Sequence, residues 1–92
     1  MKGATEQIWM DGQFVPWDDA KIHVLTHSLH YGLGVFEGIR CYKTRRGSAV
    51  FRLHEHMRRL YDSARILGIE VPVGREALTG AVLETVRKNK ME

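Results

Sequence analysis

The fold is decided first by residues 8–15, which read Ile8-Trp9-Met10-Asp11-Gly12-Gln13-Phe14-Val15. Two apolar runs flank the dipeptide Asp11-Gly12, and this dipeptide is the strongest short-range signal of a β-hairpin. The sequence therefore predicts two antiparallel strands joined by a tight turn. Pro16 has no backbone N–H to donate to a ladder, so we expect the second strand to end there.

A second hairpin is predicted from the glycine-rich stretch that follows. Residues 35–42 alternate apolar and other side chains in the manner of a strand, Arg45-Arg46-Gly47 turns the chain, and residues 48–51 return as the partner strand. The residues alone favour a bulged strand with Phe36 in the core. The three glycines of residues 32–38 also suggest that the backbone approaches something closely.

Two helices are expected after the hairpins. From Leu53 onward apolar residues recur with helical spacing, and Gly68 suits the position just after a helix end. Residues 78–86 carry the apolar face of a second helix, on which Glu84 and Lys88 would form an ion pair. Strands before helices are typical of an α+β protein, so we expect both helices on one face of a small antiparallel sheet built from the hairpins.

Composition narrows the classes of function. Ninety-two residues with 43% hydrophobic and 27% charged content describe one globular domain. The single cysteine, Cys41, excludes an intrachain disulfide and favours the reducing cytoplasm. No segment has the length of a membrane span or the pattern of a secretory leader, so no membrane partner is expected. The net charge of +3 is spread among acidic residues, so a nucleic-acid binder using Arg52, Arg58, Arg59 and Arg65 is the weakest hypothesis.

No pattern in this sequence supplies a complete catalytic group. The five histidines lack the spacing and the partners of a metal site, and no lysine lies where desolvation could lower its pKa. Arg59 lies well off the apolar stripe of its helix. Two interpretations stay open for it: a solvated arginine paired with Glu55 one turn earlier, or an anion clamp whose planar guanidinium matches phosphate oxygens.

Several motifs in the same order give the sequence a resemblance to a known family. These motifs are Ile8-Trp9-Met10-Asp11-Gly12, His30-Tyr31-Gly32, Val35-Phe36-Glu37-Gly38-Ile39-Arg40-Cys41-Tyr42, Phe51-Arg52-Leu53 and His56-Met57-Arg58-Arg59-Leu60. Together they closely resemble the branched-chain amino acid aminotransferases, members of the class IV (fold type IV) family of pyridoxal phosphate enzymes. The resemblance identifies residues 1–92 as the N-terminal small domain of such an enzyme, truncated before the C-terminal domain that carries the cofactor-binding lysine.

The resemblance also implies a function and a division of labour. The whole enzyme would transfer the amino group of leucine, isoleucine or valine to 2-oxoglutarate through pyridoxal 5′-phosphate, as a cytoplasmic homo-oligomer. Arg59 would bind the cofactor phosphate, Tyr31, Phe36 and Gly38 would line the substrate pocket, and Arg40 would support its wall. This chain would supply no catalytic residue and no metal ligand, and would be inactive alone. The alternative is a free-standing, non-catalytic domain, which the missing lysine favours.

Two further features bear on these expectations. The related D-amino acid aminotransferases and aminodeoxychorismate lyases tend to carry an Asp-Arg-Gly stretch and a Gly-Asp-Gly loop, where this sequence has Thr26-His27-Ser28 and Gly32-Leu33-Gly34. The departure favours the branched-chain branch. Residues 87–92 continue a helical pattern without glycine or proline, so we expect the chain to continue beyond Glu92.

Overall fold

The computed structural model describes residues 6–26, 29 and 31–89, in which two β-hairpins precede two α-helices. The elements in chain order are β1 (Gln7–Met10), β2 (Gln13–Pro16), a 3₁₀ helix (Trp17–Asp19), β3 (Cys41–Thr44), β4 (Gly47–Val50), α1 (Leu53–Ile66) and α2 (Arg75–Lys88). Both hairpins precede both long helices, which confirms the predicted α+β class. Of the motif residues quoted above, His27, Ser28 and His30 lie outside the described residues, as do residues 90–92 at the predicted continuation.

The first hairpin is confirmed, both in its turn and in the residue at which its second strand ends. β1 and β2 are antiparallel across the dipeptide Asp11-Gly12, whose φ angles are 51° and 90°. Positive φ at both residues gives the mirror-image turn whose twist matches that of the strands, and glycine adopts this conformation without steric cost. β2 ends at Pro16, as predicted.

The second hairpin is confirmed, but it is shorter than predicted. β3 begins at Cys41 and turns through Arg45-Arg46 into β4. Residues 35–40 were expected in the strand but have no regular secondary structure, because no strand among the described residues pairs with them. The hairpins form two separate two-stranded sheets where a single small sheet was expected, since β3 and β4 pair only with each other in the described part of the chain.

The two predicted helices are confirmed, and α1 carries the core. Its buried residues, Leu53, Met57 and Ala64, form one apolar stripe, and Met57 is only 2% exposed. Gly68 follows the helix with a φ of 74°, the left-handed conformation that ends many helices. α2 contacts both α1 and β1. Within residues 6–26, 29 and 31–89, neither helix is long and apolar enough to cross a membrane.

The end of α2 is tied to β1 by one amide side chain. Asn89 accepts a hydrogen bond from the backbone N–H of Gln7 at 2.8 Å and donates one to the carbonyl oxygen of Gln7 at 2.8 Å. The side chain thus bonds both backbone groups of a strand residue, much as a neighbouring strand would.

The predicted ion pair between Glu84 and Lys88 is not formed. Glu84 pairs with Arg87 at 3.4 Å, while the ammonium of Lys88 lies 5.0 Å from the ring centroid of Phe14. The prediction was wrong because Lys88 finds a cation–π contact on the hairpin. The spacing rule considers only the helix itself.

Candidate functional site

Residues 35–40 organise the candidate site because their side chains alternate in burial. The partly buried residues are Val35, Glu37 and Ile39. The exposed residues are Phe36, Gly38 and Arg40. A period of two is the pattern of an extended chain. The strand-like alternation is therefore present although no partner strand pairs with the segment, and it gives the segment an inner and an outer face.

On the inner face, Glu37 binds two residues of α1. The Arg59 guanidinium donates from Nε to Glu37 Oε2 at 2.7 Å and from Nη2 to Oε1 at 2.7 Å. His56 Nδ1 lies 2.6 Å from Glu37 Oε1. Residues three apart share one side of a helix, so one carboxylate can reach both. The guanidinium and the carboxylate meet in the bidentate geometry that is strongest for this pair.

In this cluster Glu37 and Arg59 each stabilise the ionised form of the other. Hydrogen bonds from Arg59, and then from His56, lower the pKa of Glu37 to about 2. The hydrogen bond to Glu37 raises the pKa of Arg59. An ionised carboxylate only accepts hydrogen bonds, so the Nδ1 of His56 carries the proton in this pair. The side chain of Glu37 is 7% exposed and that of Arg59 is 67% exposed, so the carboxylate is sheltered while the guanidinium reaches solvent.

Acid should open this cluster. The pKa of Glu37 is lowered in the folded state from 4.5 to about 2, so its stabilising effect is complete above about pH 4.5 and is lost as the pH falls towards about 2. The expected result is a difference in the free energy of unfolding between wild type and Glu37→Gln that shrinks over this interval. Urea denaturation at a series of pH values measures it. A difference that stays constant down to pH 2 would show that the carboxylate is not paired.

The pairing of Arg59 with Glu55 that the helix spacing favoured is not formed. Glu55 pairs instead with Arg52 at 3.1 Å, where the chain enters α1 with a left-handed φ of 53°. The partner of Arg59 is Glu37, 22 residues earlier in the sequence. Sequence reasoning missed this residue. The signal that could have found it is the alternation of the segment, which places Glu37 on the face opposite Phe36 and Gly38.

Arg59 borders an open polar groove of about 410 Å³ along α1. The groove is lined by Arg52, Glu55, His56, Arg58, Arg59 and Asp62. The bonds to Glu37 use Nε and Nη2, the side-on edge of the guanidinium. The end-on edge, formed by Nη1 and the second hydrogen of Nη2, points away from the carboxylate and matches the oxygens of a phosphate. The donor set therefore fits a phosphate group.

The outer face of the segment carries Phe36, Gly38 and Arg40, three of the other predicted site residues. Phe36 is 89% exposed and Tyr31 is 75% exposed. A Cβ atom built at Gly38 would meet no heavy atom within 4 Å. The interpretation that Phe36 lies in the core of this domain is wrong, because no element of the described chain covers its ring. Arg40 borders a small apolar cleft beside α2 that Val82 also lines.

The structure thus brings Phe36, Gly38 and Arg40 to one face and gives Arg59 its partner on the opposite one. The free thiol of Cys41 is partly buried in the same apolar cleft as Arg40. In the part of the chain that the structure describes, no three His, Cys, Asp or Glu side chains are placed to hold a metal ion.

Comparisons with known proteins give a consistent result. Residues 34–92 match the family described as Amino-transferase class IV. The branched-chain-amino-acid aminotransferase of Pseudomonas aeruginosa is 52% identical over 85 residues, which cover 92% of this chain and 28% of that protein. The protein of the same name from Escherichia coli is 49% identical over 87 residues, which cover 95% of this chain and 28% of that protein. The chain therefore spans less than a third of the length of these relatives.

Solved structures give the same picture. The T.th. branched-chain amino acid aminotransferase complexed with N-(5'-phosphopyridoxyl)-L-glutamate has a TM-score of 0.94 and 50% identity, covering 97% of this chain and 30% of that one. A branched-chain aminotransferase from Thermoproteus uzoniensis with norvaline has a TM-score of 0.87 and 50% identity, covering 94% of this chain and 29% of that one.

Proposed function

This chain belongs to the class IV aminotransferases, and we propose that residues 1–92 are the N-terminal small domain of a branched-chain amino acid aminotransferase that uses pyridoxal 5′-phosphate. The observation that carries the proposal is the match of 95% of the chain, at 49% identity, to one such enzyme. Leucine, isoleucine or valine would be the amino donor and 2-oxoglutarate the accepting 2-oxo acid. The cytoplasm is the proposed location.

Within this enzyme the chain contributes phosphate anchorage and substrate fit. Pyridoxal 5′-phosphate, when bound, supplies the electron sink that transamination needs. The end-on edge of Arg59 would bind its phosphate. Phe36, Gly38 and Tyr31 would line the pocket for the branched side chain, and Arg40 would support the wall. An aromatic ring beside a glycine offers apolar surface together with room, which suits an aliphatic side chain. The lysine that moves the proton would come from the C-terminal domain.

The exposed apolar side chains of this chain support a covering domain. Six large apolar residues of segment 22–36 have more than half of their surface exposed: Ile22, Val24, Leu25, Leu29, Tyr31 and Phe36. Phe51 and Ile66, later in the chain, are also more than half exposed. Soluble monomers seldom leave large apolar patches open to water. We propose that the C-terminal domain covers this face and that the enzyme assembles as a homo-oligomer.

The proposal is tested on the protein purified from its source. We expect a species much heavier than 10.6 kDa that shows the absorbance of bound pyridoxal 5′-phosphate and transfers the amino group of leucine, isoleucine or valine to 2-oxoglutarate. A species of 10.6 kDa that binds no cofactor would favour the alternative, a free-standing domain without transaminase activity.

Gly38→Val is expected to change substrate discrimination without damaging the fold. A Cβ at this position meets no atom of the chain within 4 Å, so a side chain can leave the backbone here without a clash at Cβ. In the complete enzyme it would fill the proposed pocket and lower kcat/KM for isoleucine about tenfold relative to alanine. Gly80→Ala, at an open position on α2, is the control. An unchanged ratio of the two kcat/KM values would remove Gly38 from the pocket wall.

A further inference from the structure

Arg59 is a long and largely exposed side chain, yet one edge of it is immobilised. Glu37 occupies the side-on edge through two hydrogen bonds of 2.7 Å. A guanidinium held in this way is restricted to one plane and one direction. Free arginine side chains lose much rotamer freedom when they bind a ligand, and a pre-organised fork loses less.

We propose that Glu37 is a positioning residue that holds Arg59 side-on, so that the end-on edge of the guanidinium faces the phosphate of the cofactor. The inference rests on the proposed function of Arg59 as the phosphate anchor. It assigns a role to a residue on the face of segment 35–40 opposite the proposed substrate pocket.

The same groove contains two other carboxylates that could misdirect Arg59. Glu55 lies four residues before it and Asp62 three residues after it on α1, and both line the groove. Residues at these spacings are neighbours on a helix surface, so either carboxylate could capture an arginine that is free to turn. Glu37 instead holds Arg59 in a bidentate contact, which is stronger than a single contact with either carboxylate. Glu55 and Asp62 are themselves paired with Arg52 and Arg65.

The carboxylate of Glu37 does not compete with a phosphate for the same donors. A guanidinium has five N–H groups, and the contact with Glu37 uses those of the side-on edge. His56 adds a third hydrogen bond to the carboxylate at 2.6 Å. The side chain of Glu37 is 7% exposed. Its negative charge therefore lies away from the edge of the guanidinium that is offered to the phosphate.

The test measures the dissociation constant of pyridoxal 5′-phosphate in the complete enzyme, by absorbance titration, for wild type, Glu37→Gln, Arg59→Ala and the double variant. We expect Glu37→Gln to weaken binding roughly tenfold, the lower end of the loss in metal affinity when a hydrogen-bond partner of a metal ligand is removed. In the Arg59→Ala background the same change should have no further effect, because no guanidinium remains to be positioned. Glu55→Gln, in the same groove, is the matched control and should change affinity less than about twofold.

The ligand pyridoxal, which lacks the phosphate, distinguishes the positioning role of Glu37 from a purely structural role. Positioning predicts that Glu37→Gln leaves the affinity for pyridoxal unchanged. Equal weakening for pyridoxal and its phosphate, or an undiminished effect in the Arg59→Ala background, would overturn the positioning role. If the Glu37→Gln variant does not fold, Glu37→Asp replaces it in the titration. It keeps the charge but shortens the reach, so we expect an intermediate loss, and wild-type affinity in it would contradict the proposal.

The remaining outcomes separate this inference from the proposed function. If Arg59→Ala loses affinity as expected but Glu37→Gln keeps or gains affinity, the positioning role alone is overturned. Unchanged affinity in Arg59→Ala would overturn the assignment of Arg59 and this inference with it.

Discussion

Replacing Arg59 with alanine is expected to weaken the affinity of the complete enzyme for pyridoxal 5′-phosphate by about 100-fold. In its proposed role the guanidinium would offer the phosphate a charged, bidentate contact, which alanine cannot make. We expect the free energy of unfolding to change by much less than the free energy of cofactor binding. The side chain is 67% exposed, so its removal leaves no cavity, and His56 still donates to Glu37.

Absorbance titration of the cofactor-free enzyme measures this change. Arg58→Ala is the matched control, because Arg58 is the neighbouring arginine and lines the same groove. It should lower affinity only slightly. Equal losses in the two variants would mean that the general charge of the groove, and not Arg59, attracts the phosphate. Unchanged affinity in Arg59→Ala would refute the assignment.

Met57→Ala is expected to lower the free energy of unfolding by about 2–5 kcal/mol. Met57 is 2% exposed and is the largest fully buried side chain of the described residues. Its truncation removes apolar contacts and leaves a cavity that the surrounding helices fill only in part. Because Met57 lies between His56 and Arg59 on α1, loosening it should also disturb the cluster that these residues form with Glu37.

Urea denaturation of the cofactor-free protein, with midpoint and slope fitted together, provides the measurement. Met57→Leu keeps the side-chain volume and should cost less than about 1.5 kcal/mol. Equal effects of the two substitutions would show that the loss does not come from a cavity at Met57. A loss below about 1 kcal/mol in Met57→Ala would place this side chain outside the stabilising core.

The elements that sequence reasoning predicted correctly are the ones with local causes. The turn at Asp11-Gly12 depends on two residues that tolerate positive φ, and the end of α1 depends on Gly68 in the same way. The apolar stripe of α1 depends on spacing within one helix. Such features need no knowledge of the rest of the chain.

The predictions that were wrong involve contacts between distant segments. Glu84 and Lys88 have the correct spacing for an ion pair, but Lys88 lies over Phe14, more than 70 residues away in sequence. Phe36 has the composition of a core residue, but it is 89% exposed. For Lys88 the presence of a surface from a distant segment, and for Phe36 the lack of one, overrides the local pattern.

The candidate site divides along the same line. Resemblance of the motif around Arg59 was enough to propose a phosphate anchor, and alternation in residues 35–42 was enough to expect an extended segment. Neither indicated that Glu37 binds Arg59 and His56, because that contact spans 19 to 22 residues and depends on how the segment lies along α1.

The sequence by itself therefore determined the α+β class, the hairpin turns, the two helices and the family motifs, since each follows from residue types at short spacing. Only the tertiary structure decided the partner of Arg59, the exposure of Phe36 and the separation of the two hairpins. The physical reason is that a charge, a ring or a strand edge binds whatever the folded chain brings within a few ångströms. Separation in space, unlike separation in sequence, is set by the packing of the whole domain.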